Sequence, residues 1–144
     1  MILIASDHAG FKLKEGLIDY FNKEKIQYKD LGTYSEDSVD YPDYGIKLGE
    51  EYMKGGYEMG IVICGTGIGI SIAANKVAGI RAAIVYDENT ARLAKEHNHA
   101  NVLAFGGRTT KLKDAIKYLK VFRETKHEQR HQKRIDKISK YEVK

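Results

Sequence analysis

The sequence predicts an α/β protein, a three-layer α/β/α sandwich around a five-stranded parallel sheet, with one more helix at the C-terminus. Three observations predict it. Short apolar runs rich in β-branched residues recur along the chain, such as Ile2-Leu3-Ile4 and Ile61-Val62-Ile63. Runs with apolar residues at helical spacing separate them. The connections are short, and no repeat, low-complexity segment or linker breaks the alternation. A single domain over residues 1–144 is expected.

Each element has its own signal. Met1 to Ala5 reads as a fully buried strand, followed by the loop Ser6-Asp7-His8-Ala9-Gly10. Phe11, Leu13, Leu17, Ile18 and Phe21 mark one face of a helix ending near Lys25. Ile26 to Leu31 alternates apolar and polar residues, as a strand near an edge does. A polar loop follows, and Pro42 at a helix N1 position starts a helix that runs to about Lys54 and stops at Gly55-Gly56. Met59 to Cys64 is the third strand, and its helix covers about Ile68 to Lys76. Ile80 to Tyr86 is the fourth, and Asp87 caps a helix reaching about His97. Asn101 to Phe105 is the fifth, after which Thr109 or Thr110 caps a helix through about Phe122. A charged helix from roughly Glu128 to Tyr141 closes the chain. The whole is Rossmann-like in plan.

The bulk composition narrows the classes. With 42% hydrophobic and 31% charged residues the chain has the balance of a soluble globular domain. No apolar run is long enough to span a bilayer, and Met1 to His8 carries no charged leader. A lone cysteine excludes an internal disulfide framework. Together these point to a cytoplasmic protein without a membrane partner. The net charge of +4 comes wholly from a basic extension: residues 1–122 hold 16 Lys/Arg against 16 Asp/Glu, and residues 123–144 hold 8 against 4. Four acids and a single aromatic, Tyr141, in that extension argue against nucleic acid.

Chemistry gathers where the third strand ends. Cys64-Gly65-Thr66-Gly67-Ile68-Gly69 reads as strand, tight loop, helix start. The amides of such a loop and of the helix behind it form an anion site, and a thiol beside a helix N-terminus is held more in its thiolate form. Cys64 is therefore a candidate base or nucleophile, weighed against a plain buried cysteine. In a parallel sheet ligands sit at the carboxyl ends of the strands. Asp7 and His8, the Cys64 loop, and Gly106 to Arg108 should then share one rim. His97 and Asn98 end a helix and belong at the opposite rim, so they can join the same site only from a partner chain. A histidine at a helix C-terminus suits a general acid, or simply complements the dipole. Arg130 and Arg134, four apart, share a helix face that can grip a phosphate or merely face solvent. No His/Cys cluster has metal-ligand spacing. Nor does Gly65-x-Gly67-x-Gly69 match G-x-G-x-x-G, which disfavours a dinucleotide.

Taken together, several motifs resemble the type B ribose-5-phosphate isomerases. They are Ser6-Asp7-His8-Ala9-Gly10-Phe11, Asp40-Tyr41-Pro42, Cys64-Gly65-Thr66-Gly67-Ile68-Gly69, Ile72-Ala73-Ala74-Asn75-Lys76, Gly79-Ile80-Arg81-Ala82, His97-Asn98, Asn101-Val102-Leu103-Ala104-Phe105-Gly106 and Arg130-His131-x-x-Arg134. The family also holds isomerases of allose 6-phosphate and galactose 6-phosphate. The resemblance implies aldose–ketose isomerisation of D-ribose 5-phosphate and D-ribulose 5-phosphate, in the pentose phosphate pathway and without a cofactor. It implies Cys64 as base assisted by Thr66, and an oxyanion hole of loop amides from Gly65 through Gly67, Ile68 and Gly69 to about Ile70. It implies that His97, with Asp7, opens the furanose ring and that Asn98 holds sugar oxygens. His8, Arg130 and Arg134, with Arg108, would hold the phosphate, and Tyr41 would line the site. It implies a homodimer with shared sites, and pairing into tetramers as a further option. A six-carbon preference, or a non-catalytic phosphate-binding module, is the alternative reading.

Overall fold

A computed structural model describes residues 1–142; the last two residues of the basic extension, 143–144, lie outside the described residues. The strands are β1 (Ile2–Ser6), β2 (Tyr28–Asp30), β3 (Met59–Cys64), β4 (Ala82–Ile84) and β5 (Val102–Gly106). They form one parallel sheet in the order β2-β1-β3-β5-β4. The helices are α1 (Phe11–Lys23), α2 (Tyr41–Met53), α3 (Ile68–Asn75), α4 (Glu88–Glu96), α5 (Leu112–Glu124) and α6 (Gln132–Glu142).

The strands alternate between two cores, as a period of two requires. Ile2, Ile4, Ile61, Ile63, Leu103 and Phe105 face a core closed by Leu13, Leu17 and Phe21 of α1, Ala91 and Ala94 of α4, and Leu119 and Phe122 of α5. Leu3, Ala5, Val62, Cys64, Val102 and Ala104 face the other, closed by Leu48 of α2 and by Ile70 and Ala74 of α3. This is the expected three-layer sandwich. Helices cover both faces, so β1, β3 and β5 are buried along their whole length.

The edges differ from expectation. β2 and β4 are three residues each, since an edge strand pairs on one side only and the partner's ladder ends early. β1 and β5 both lie one residue later than predicted, and Lys25 at φ 57 turns the chain away beyond α1. Pro42 follows Tyr41, the first residue of α2. Asp87 does cap α4, accepting from the Thr90 amide at 2.6 Å. Neither Thr109 nor Thr110 caps α5, because their amides turn back onto the Gly106 carbonyl and Lys111 precedes the helix without a side-chain cap. The last helix is split: Gln129–His131 forms a 3-10 turn before α6. Arg130 and Arg134 therefore stand on successive elements and not on one helix.

One cation is buried outright. The Lys14 Nζ reaches Asp30 at 2.8 Å and Glu15 at 3.2 Å, with the Phe11 and Tyr34 rings 5.4 and 5.6 Å away. Asp30 also accepts from the Gly32 amide at 2.9 Å, so the ion pair fixes the chain where it leaves β2 for the rim.

Candidate active site

Cys64 is the last residue of β3, level with Gly106 of β5, and its side chain is buried. The amide of Gly67 donates to its Sγ at 3.2 Å. Gly67 adopts φ 82 ahead of α3, a conformation side-chain-bearing residues pay to enter. The loop so kinked carries the Gly67 amide onto the thiol. Thr66 is exposed, and its Oγ1 accepts from the Ile68 amide at 3.2 Å. Gly69 and Ile70 lie in the first turn of α3, where amides have no intrahelical partner.

Neighbouring loops are tied to this one. The Gly107 amide donates to the Cys64 carbonyl at 2.7 Å and the Arg108 amide to Gly65 at 3.0 Å. An Nη of Arg108 lies 3.0 Å from where a Cβ on Gly65 would stand. On the other side the Asp7 amide donates to Ile63 at 3.1 Å. The Asp7 carboxylate is buried and accepts from the amides of Ala9 and Gly10 at 2.9 and 3.1 Å. His8 is held through Nδ1 against the backbone of Val39, 3.2 Å from both its N and O. Tyr41 lays its ring over Gly69 so closely that a Cβ there would be 2.6 Å from it. Asp7, His8, Tyr41, the Cys64–Gly69 loop and Arg108 thus share the carboxyl rim of the sheet.

The remaining candidates do not. His97 is the C-cap of α4, and the turn from it to Ala100 leads into the amino end of β5. The five residues of β5 separate the two rims by about 16 Å. The His97 ring packs against His131, tilted by 34° with ring centroids 4.1 Å apart, and Arg134 donates to His131 Nδ1 at 3.0 Å. Arg130 pairs with Glu128 beside them. His99 stacks on His127 at 4.4 Å. Burial, then Arg130, His97 and Arg134 beside it, keep His131 below the usual histidine range. Partial burial, then His127, Arg81 and Lys95, do the same to His99. One chain therefore places a thiol with an amide donor at one rim and imidazoles with guanidiniums at the other.

Comparison with known proteins decides the family. The sequence model of the Ribose/Galactose Isomerase family matches residues 2–138. The chain belongs to that isomerase family. Ribose-5-phosphate isomerase B of Escherichia coli is 40% identical over 139 residues, 96% of this chain and 93% of that protein. The structure of Clostridium thermocellum ribose-5-phosphate isomerase B superposes with a TM-score of 0.95 at 45% identity, covering 99% of this isomerase and 97% of that chain. Ribose-5-phosphate isomerase B of Mycoplasma genitalium, solved with bound ribulose-5-phosphate, gives 0.92 at 40% identity over 99% and 96% of the two chains.

Sequence reasoning passed over three residues of the isomerase that the structure draws in. His131 sits inside a quoted motif, yet only its ring contact with His97 marks it out. Lys14, a charged residue outside the apolar pattern of its helix, is fully buried behind the rim. Arg81 reaches the backbone of Asn98 and His99, a contact no spacing rule signals.

Proposed function

We propose that this isomerase interconverts D-ribose 5-phosphate and D-ribulose 5-phosphate through an enediolate, among the cytoplasmic steps of the pentose phosphate pathway. The observation that carries the reading is the Gly67 amide on the Cys64 sulfur at the mouth of a glycine loop. A proton α to a carbonyl leaves only with a base and a stabiliser for the developing oxyanion side by side. The relative from Mycoplasma genitalium, whose structure holds ribulose-5-phosphate, supports the same substrate class.

In this reading His97 gives a proton to the ring oxygen as the C1–O4 bond breaks, and Asp7 takes that of the anomeric hydroxyl. The Cys64 thiolate removes the C2 proton, leaving an enediolate whose oxygen the amides of the Gly65–Ile70 loop hold. The O2 proton passes to O1, and the thiol returns its proton to C1. Thr66 assists Cys64 from the loop. His8, Arg108, Arg130 and Arg134 anchor the phosphate, Asn98 holds hydroxyls and Tyr41 walls the site. Anchoring keeps the reacting carbon at the sulfur.

The two half-sites meet if a second copy places its His97 rim over the first copy's Cys64 rim. Ile68 and Ile72, one turn apart on α3, are 54% and 56% exposed, and Ile138 on α6 is 52% exposed, an apolar surface for that copy. A homodimer with two shared sites follows, and sedimentation reads its mass. The test of activity is a coupled assay with ribose 5-phosphate before and after iodoacetamide. Turnover that alkylation of the single thiol abolishes is expected; turnover that survives complete alkylation moves the base away from Cys64. Comparing kcat/KM for ribose 5-phosphate and allose 6-phosphate reads the chain length preferred, and binding without turnover overturns the isomerase reading.

A further inference from the structure

We propose that Arg81 is the positioning residue for the turn that carries His97 and Asn98, and that it serves the ring-opening half of the reaction far more than proton transfer at carbon. The inference rests on the isomerase reading above. Arg81 precedes β4, and its backbone is pinned: its amide donates to Asn101 Oδ1 at 2.8 Å and its carbonyl accepts from the Asn101 amide at 3.1 Å. From this fixed base the guanidinium bridges two successive carbonyls. Nε donates to Asn98 at 3.2 Å and to His99 at 3.1 Å, and Nη2 donates to His99 at 2.8 Å. These carbonyls come just past the end of α4, where backbone oxygens lack helical partners and a cation is favoured.

The turn needs such a clamp. His99 sits at φ 45, which a side-chain-bearing residue seldom adopts without local compensation. The arginine fork holds both carbonyls at once with charge-assisted donors, which a lysine point charge cannot reproduce. His97 and Asn98 occupy the two positions immediately before that strained residue. Loosening the clamp therefore lets the imidazole and the amide drift, while the Cys64 loop at the opposite rim keeps its own hydrogen bonds to Gly106–Arg108 and Asp7.

A paired assay tests this. Ribulose 5-phosphate is acyclic, because its C5 oxygen is esterified. In D2O it acquires deuterium at C1 each time Cys64 removes a C1 proton, exchanges it with solvent and returns a deuteron. That cycle needs no ring opening. For Arg81→Gln the expected result is a loss of about 10- to 100-fold in kcat with ribose 5-phosphate, a several-fold smaller loss in C1 exchange, and an unchanged dimer mass. Arg81→Lys should recover part of the loss, and it carries the test alone if Arg81→Gln does not fold. Equal loss in both assays, or loss in neither, overturns the proposal. Wild-type protein inert in both overturns the isomerase reading and this proposal with it.

Discussion

The amide of Gly67 points at the sulfur of Cys64 from 3.2 Å. A backbone donor cannot be removed from the sulfur without moving the loop. Cys64→Ala should fold normally, since the thiol packs as a small apolar group. Its isomerisation rate should drop at least ~100-fold. Circular dichroism and the coupled assay check both halves, and wild-type turnover in the alanine variant would remove the thiol from the mechanism.

Gly69→Ala should disturb the site through Tyr41. The added methyl would lie 2.6 Å from the tyrosine ring, so the ring must swing away. Tyr41 is 41% exposed, which makes the swing cheap for the fold. The expected outcome is a lower kcat/KM with the melting temperature nearly kept. A variant as active as wild type would free Tyr41 from any part in lining the site.

Lys14→Met should be a stability variant. It leaves the Asp30 carboxylate without its buried cation; stranding a fully buried charge costs about 3–5 kcal/mol, and the loss here should fall below that because Asp30 is partly exposed and keeps the Gly32 amide. Adding Asp30→Asn removes the stranded charge and should recover part of that loss, which urea unfolding measures. No recovery in the double variant would mean that packing of the lysine stem, and not the charge pair, matters at this position.

Stability should fall as the solution turns acidic from neutral. His131 and His99 are held below the ordinary histidine value of 6.5, so the unfolded chain takes up these protons at a higher pH than the folded one. The benefit of keeping both rings neutral is complete above that value and drains away below it. Glu51, held at about 2 chiefly by the Tyr57 hydroxyl, titrates far beneath this window. Melting temperatures at pH 7.5 and 5.5 should differ, and His99→Asn, whose side chain tolerates positive φ, should narrow the difference. An unchanged difference would assign it to other groups.

The layered fold was legible because burial on both faces leaves unbroken apolar strands such as Ile61-Val62-Ile63. Strand ends were less so, since an edge strand stops where its neighbour's hydrogen bonds stop, and that is decided in three dimensions. The carboxyl rim could be read from strand-to-loop junctions at Asp7, Cys64 and Gly106, and the separation of His97 from it followed from the direction of α4. The ring contact of His97 with His131 and the burial of Lys14 could not. Both depend on how the helices settle against their neighbours, which no local pattern records. The break before α6 has no local signal, because Gln129 to Gln132 offers neither proline nor glycine to announce it.

Strand β1 lies inside the sheet, with β2 on one side and β3 on the other, although it is the first strand in the chain. On the ribosome Ile2 to Ser6 must wait for Met59 to Cys64 to emerge before its second edge is covered, and β3 waits in turn for β5. Until Gly106 is out, the nascent chain displays an apolar strand edge, the kind that recruits chaperones or pairs with another copy. Fragments ending before β5 should accumulate as aggregates, so this protein offers no smaller folded version of itself that still displays the thiol.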